Sequence, residues 1–241
     1  MYSIAADMHT HTVASTHAYS TVLENCTYAA KQGLRAVAVT DHGMASPDSP
    51  HIWHFENLSI LPRSIEGVYL LRGIEANILD DTGALDADGA LLSKLEWVVA
   101  SLHSQTFEPG DRERNTRAYL GLCENEAVDV IGHPTTKKFT FDMERCVKAF
   151  KEHGKLVEIN ESSIRTGKSP VPIVKELLDL CRRYELPVVL NTDAHYCAQI
   201  GRYPISLGIL EETGFPQELV LNSEWERLRE HIIRKHGDIG I

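Results

Sequence analysis

The sequence predicts an α/β fold, a distorted (β/α)7 barrel with a metal site at the C-terminal ends of its strands. Three observations carry this expectation. Short apolar runs alternate with longer stretches of helical spacing along the 241 residues, which indicates a parallel sheet with helical crossovers. The apolar runs are nearly continuous, as in strands buried on both faces. Histidines and carboxylates recur where those runs end. In a closed barrel such ends converge on one mouth. An open sheet would spread them along a line too long for one small metal cluster.

Ser3 to Met8 reads as the first strand, running into Asp7-Met8-His9-Thr10-His11. His9 and His11 stand at i and i+2, so on a strand both imidazoles leave on one face. His17 follows in a loop of Ser, Thr and Ala. Thr21 to Gln32 has helical spacing and stops at Gly33, a residue suited to ending a helix. Arg35 to Thr40 is the second strand, ending in Asp41-His42-Gly43. Met44 to Pro62 carries three prolines and no clear period. It reads as a long loop with one helical turn around His54 to Leu58. Val68 to Glu75 is the third strand. Asp80 to Gly89, rich in Asp and Gly, is a turn region or a small hairpin. Leu95 to Leu102 is the fourth strand, ending in His103, and Asn115 to Asn125 is a helix.

Val128 to Gly132 is the fifth strand, ending in His133-Pro134. Phe141 to His153 is a helix closed by Gly154, and Lys155 to Asn160 is the sixth strand. Val171 to Tyr184 is a helix with Pro170 and Pro172 at its first turn, where proline is tolerated. Pro187 to Thr192 is the seventh strand, ending in Asp193-Ala194-His195. Glu224 to Lys235 is the last helix.

At 43% hydrophobic and 24% charged, the chain can bury a sizeable core. It is read as one domain, residues 1–241. A net charge of −10 argues against wrapping nucleic acid, which needs clustered Lys and Arg. The five cysteines are scattered, odd in number and free of any CxxC pair, which suits reduced thiols in the cytoplasm. Cys197 reads as a buried small apolar residue. No apolar run reaches membrane-spanning length, and no signal peptide is evident. The sequence assigns no oligomeric state.

His9, His11, His17, His42, His103, His133, His195, Glu75 and Asp193 form the candidate ligand set. Imidazole and carboxylate donors suit divalent transition metals, zinc above all, with manganese or iron as alternatives. One catalytic zinc needs about three protein ligands, so nine ligands fit two or three ions. Arg63, Arg72 and Arg165 are candidates to grip phosphate oxygens through a planar fork. Lys137 and Lys138 follow the His133 strand end and are candidates to face the mouth. Asn160 and Ser162, at the strand end that lacks a metal ligand, are candidates for substrate contact or ligand support. Asp41 is a candidate to orient His42. His51 and His54 lie in the long loop, as substrate contacts or surface residues. His153, His231 and His236 read as solvent-facing.

His9-Thr10-His11 with His17, Thr40-Asp41-His42, Gly73-Ile74-Glu75, His103, Gly132-His133-Pro134 and Thr192-Asp193-Ala194-His195 together resemble the PHP (polymerase and histidinol phosphatase) superfamily. Val13 to Thr21 and His51 to Phe55 further resemble its small single-domain bacterial phosphatases with three zinc ions. The resemblance implies three sites. His9, His11, Glu75 and Asp193 would hold the first ion. Glu75, bridging, would hold the second with His103 and His133. His17, His42 and His195 would hold the third. It implies hydrolysis of a small phosphomonoester by a metal-bridging hydroxide, with Glu75, Asp193 and His195 as the catalytic residues. A phosphodiesterase or exonuclease of the same superfamily is one alternative. An amidohydrolase is another, although its usual bridging lysine has no counterpart at these strand ends. Metal storage or sensing is the non-enzymatic alternative.

Overall fold

The computed structural model describes residues 2–241. Its elements follow in order: β1 (Ala6–Thr10), α1 (Val22–Lys31), β2 (Ala36–Val39), α2 (Ile52–Glu56), β3 (Ser64–Ile65), β4 (Val68–Asn77), α3 (Gly89–Leu92), β5 (Trp97–Ser101), α4 (Arg112–Cys123), β6 (Val130–Ile131), α5 (Met143–Glu152), β7 (Leu156–Asn160), α6 (Glu161–Arg165), α7 (Val171–Arg183), β8 (Val188–Asn191), α8 (Pro204–Thr213) and α9 (Trp225–His236). Seven strands pair in parallel in the order β1-β2-β4-β5-β6-β7-β8. This is the expected distorted barrel of seven parallel strands. The two-residue β3 pairs antiparallel with the start of β4.

The seam between β1 and β8 is closed largely by side chains. Asn191 accepts from the Met8 N–H at 3.0 Å. Asp7 accepts from the Thr192 N–H at 3.0 Å, from its hydroxyl at 2.5 Å, and from the Gly201 N–H. Asn222 bonds the backbone of both Ala6 and Leu190. Burial pushes the Asp7 carboxyl up to about 6, against these hydrogen bonds.

The barrel interior has two layers. Ala6, Met8, Ala36, Ala38, Leu71, Trp97, Val99, Val130, Leu156 and Val189 come from all seven parallel strands and form one apolar cluster. Trp225, Leu228 and Ile232 of α9 join it, so α9 closes the N-terminal end. Two residues on from several of these positions the side chains become polar: Ser101 after Val99, Glu158 after Leu156, Asn191 after Val189. Period two keeps them on the same inward face. In β1 the pairing register shifts between Asp7 and Thr10. That irregularity explains how Met8 can join the apolar layer while His9 joins the polar one.

Helix α1 begins with a capping box, as Thr21 and Glu24 cap one another. Helices α3, α6 and α8 were not expected. In α8, Pro-Ile-Ser-Leu-Gly-Ile-Leu, the apolar residues form no single stripe, so spacing gives little helical signal. The last helix places His231 and His236 half-buried rather than in solvent, the His231 ring near Trp97 and His236 near Asp129. Docking of α9 across the strand ends is the reason. His153 is exposed, as expected.

Candidate metal centre

The sheet carries the ligand-type residues to one place. Past the end of β2 the chain goes on pairing with β4: the Glu75 N–H donates to the Asp41 carbonyl at 3.0 Å, and Gly43 donates back to Glu75 at 2.8 Å. His42 and Glu75 therefore lie side by side. A bridge from Thr10 to Ala194 joins the ends of β1 and β8, which brings His9 and His11 to Asp193 and His195. The Tyr19 N–H donates to the His195 carbonyl and that of Thr16 to Asp48. These bonds fold the His17 loop over the site. His133 and Asp193 adopt positive φ, 27° and 52°. Such conformations cost energy for non-glycine residues and cluster where a side chain must be aimed.

Glu75 sits at the centre and is buried. Its Oε1 lies 2.9 Å from His133 Nε2 and 3.3 Å from His103 Nε2. Its Oε2 lies 2.8 Å from His42 Nδ1, 3.4 Å from His9 Nε2 and 3.6 Å from His11 Nε2. Asp193 Oδ1 lies 3.0 Å from His11 Nε2 and 3.7 Å from His9 Nε2. The His17 ring is 4.3 Å from that of His195 and 5.3 Å from that of His42. All nine residues expected to be ligands thus meet at the barrel mouth.

Several imidazoles are gripped from behind. The second nitrogen of His9 (Nδ1) bonds Glu158 at 2.7 Å, that of His103 bonds Asn77 at 2.8 Å, and that of His17 bonds Asp48 at 2.7 Å. Outer partners of this kind fix the ring and its tautomer in metal sites. The inward atoms are unsatisfied. His9 Nε2, His11 Nε2, His42 Nδ1, His195 Nε2, Glu75 Oε2 and Asp193 Oδ1 are buried without a well-directed hydrogen bond. Buried polar atoms without partners are costly, and a cation among them would satisfy many at once. His9-His11-Asp193, His42-Glu75-His103, His11-His42-His195 and His17-His42-Asp48 each bring three donor atoms within 4.8 Å of one another. The donor set fits divalent metal ions.

The electrostatics agree. Burial opposes charge on Glu75, yet His9, His103 and His42 hold its carboxyl well below the usual range. Asp193 is likewise held low, by His9 and His11, against burial. Burial, with His42 close by, pushes the His11 imidazole down to about 3. Burial also opposes charge on His9, but Glu158, Glu75 and Asp193 outweigh it and raise that pKa well above normal.

Above the cluster lies a cavity of about 280 Å³, lined by His17, His42, His103, His133, Asp193 and His195 among others. That is near the lower end of small-molecule pockets. Lys137 and Lys138 line it, joined by Lys168, which sequence reasoning did not single out. Arg63 and Arg72 do not. Both reach Glu96, Arg63 through a two-pronged pair at 2.7 and 2.8 Å, on the outside of β4. Arg165 is exposed and outside the lining, and Ser162 is outside it too. Asn160 instead donates to Asp193 at 3.2 Å and to Glu158 at 3.0 Å. Asp41 does not hold the His42 ring. It accepts from Thr12, Ser15 and, at 3.0 Å, His54 Nε2. His51 caps α2.

The residue most plainly missed is Glu158. It is fully buried and bonds His9, the His133 N–H, Asn191 and Asn160. The signal was present in Leu156-Val157-Glu158-Ile159-Asn160: an acid inside a buried strand needs a partner.

Residues 7–162 match the family model described as PHP domain. The chain belongs to the PHP domain family. Among curated proteins it is similar to a probable phosphatase of Caldanaerobacter subterraneus subsp. tengcongensis, 41% identical over 239 residues, covering 98% of this chain and 94% of the relative. A probable phosphatase of Clostridium novyi is 41% identical over 230 residues, covering 95% and 94%. Among solved structures, histidinol phosphate phosphatase from Lactococcus lactis, complexed with zinc, L-histidinol and phosphate, is similar at TM-score 0.56 and 18% identity, covering 88% of this chain and 94% of that one. A chain of archaeal ribonuclease P, solved with mature tRNA, is similar at TM-score 0.62 and 13% identity, covering 97% and 94%. These two structural likenesses show a shared fold. No helix among the described residues is long and apolar enough to cross a membrane.

Proposed function

We propose that this chain is a metal-dependent phosphatase that hydrolyses a small phosphomonoester, with residues 1–241 acting as one hydrolase domain. The observation that carries the reading is the ring of unsatisfied imidazole and carboxylate atoms around Glu75, on the floor of a small cavity. The curated relatives named probable phosphatases support it, being similar over nearly their whole length. The zinc and phosphate in the histidinol phosphate phosphatase structure support it too. The five buried, unpaired cysteines suit a reducing compartment, so a cytoplasmic location is proposed with it.

His9, His11, Glu75 and Asp193 would hold one ion. Glu75, His103 and His133 would hold a second, and His17, His42 and His195 a third. Zinc is the first choice for such donors, with manganese or iron next. When bound, such ions supply Lewis acidity towards phosphoryl oxygens and lower the pKa of a coordinated water to about 7. The chain's own residues set the geometry. Glu75 turns its two oxygens to different histidines, so it fixes the spacing of two sites. Glu158 and Asn77 each accept the proton at Nδ1 of a ligand imidazole, which leaves Nε2 free to bind inward. Asn160 donates to Asp193 Oδ2 and leaves Oδ1 facing His11.

The test compares 4-nitrophenyl phosphate with bis(4-nitrophenyl) phosphate on metal-supplemented protein. The monoester is expected to be favoured by at least roughly tenfold, a barrier difference of about 1.4 kcal/mol. A chelator should abolish turnover, and zinc or manganese should restore it. Preference for the diester would replace phosphatase by phosphodiesterase. No turnover of either would remove both.

A further inference from the structure

The cavity above the ligand cluster has a positively charged wall that the metal centre does not use. Lys137 and Lys138 stand in the loop that carries His133 away from β6, and Lys168 stands in the loop after α6. All three are exposed and line the cavity. The Lys137 N–H donates to the Lys168 carbonyl at 2.9 Å, so the two loops are tied together. None of the three makes an ion pair among the described residues. Lys138 Nζ reaches the Ser104 hydroxyl, at 3.5 Å. Of the other seven lysines, Lys94, Lys148, Lys175 and Lys235 each pair with a carboxylate, while Lys151 and Lys155 bond backbone carbonyls. Apart from Glu75 and Asp193, the one acid lining the cavity is Asp48, which is bonded to His17. In a chain of net charge −10, three unpaired ammonium groups on one wall focus positive potential on the cavity.

We propose that this wall reads a second anionic group on the leaving portion of the substrate. The substrate class is then small phosphomonoesters that also carry a carboxylate or a second phosphate. The proposal rests on the phosphatase reading: with the phosphoryl group at the ligand cluster, the leaving portion must extend into the rest of the cavity, where the lysines are. A lysine ammonium is a flexible point charge rather than a rigid fork. Three of them select for charge more than for shape, and either anion would satisfy them. The volume of about 280 Å³ suits a small molecule.

Two matched pairs test this on metal-loaded protein, with 4-nitrophenyl phosphate as the check on phosphatase activity. Fructose 1,6-bisphosphate against fructose 6-phosphate asks about a second phosphate. The pair 3-phosphoglycerate and glycerol 3-phosphate asks about a carboxylate. In at least one pair the doubly anionic member should have kcat/KM at least roughly tenfold higher at low salt, and the advantage should shrink as ionic strength rises. In K137Q/K138Q/K168Q the favoured pair should come within roughly threefold of one another, since each screened surface charge contributes little alone. Calorimetric titration with 3-phosphonopropionate and propylphosphonate gives a readout without turnover. The carboxylate-bearing ligand should bind tighter to the natural chain and no tighter to the variant. If 4-nitrophenyl phosphate is hydrolysed but neither pair is discriminated, or the variant keeps the discrimination, the proposal is overturned. If 4-nitrophenyl phosphate is not hydrolysed, the phosphatase reading fails, and the titration then judges the wall: equal affinities overturn it, while a preference lost in the variant sustains it.

Discussion

Glu75 faces five imidazoles through two oxygens, and Glu158 stands behind one of them. The two carboxylates therefore make different predictions. Glu75→Gln keeps the shape but removes the charge shared by two proposed sites, so at least one ion and turnover should be lost together. Glu158→Gln leaves every inward donor atom in place and weakens the grip on His9. Metal affinity or turnover should fall by about 10–100-fold, the usual effect of losing an outer partner. Metal titration and kinetics on the two variants check this, and a Glu158→Gln protein equal to the natural chain would show that His9 is not oriented by this bond. The convergence of nine ligand-type residues was legible because metal chemistry restricts residue type and the strand ends restrict position. Glu158 was not, because its meaning depends on His9, from another strand, and on the His133 backbone. Arg63 and Arg72 misled for the same reason. Nothing local to them reveals that Glu96 is their partner.

At the scale of elements, the site depends on how closely β5 and the end of β6 approach. A Cβ on Gly132 would lie 2.1 Å from Ser101 Oγ and 2.8 Å from a Val99 methyl. That hydroxyl donates to Glu75 Oε1 at 2.7 Å. Gly132→Ala should therefore cost about 1–3 kcal/mol of stability through overpacking and displace the hydroxyl from Glu75. Thermal unfolding with metal titration is the check. Unchanged stability and affinity would mean that the strands separate freely at this point. The seven parallel strands were legible from their apolar runs, with ends displaced by up to three residues, boundaries being the least certain part of any element. β6 is the shortest relative to its run, two residues against an expected five. α8 was illegible because it is apolar on several sides.

The whole molecule is a barrel whose mouth holds the polar layer and whose other end is sealed by α9. Asp129, buried just before β6, accepts from the Val98 N–H at 2.7 Å and from Lys235 of α9 at 2.6 Å. Burial opposes its charge, yet His236 and Lys235 hold the carboxyl below its ordinary 3.8. A depressed carboxyl stabilises the fold above its unfolded pKa, and that contribution is lost as pH falls through the folded value. Asp129→Asn should therefore destabilise the chain by ~1.5–3 kcal/mol near neutral pH. The gap to the natural chain should close as pH drops below 3.8. Denaturant melts across pH measure it, and a gap that does not depend on pH would mean that the charge contributes nothing. The barrel class was legible from the alternation of elements and the converging histidines and carboxylates. Its closure was not, since Asp7, Asn191 and Asn222 act across pairs of segments far apart in sequence.

A mouth built to hold divalent ions reveals itself in the metal content per chain. Protein purified gently, supplemented with zinc or manganese and freed of loose metal should retain more than two ions by elemental analysis. Glu75→Gln, treated identically, should retain at least one fewer. One ion or none in the natural chain would contradict the account.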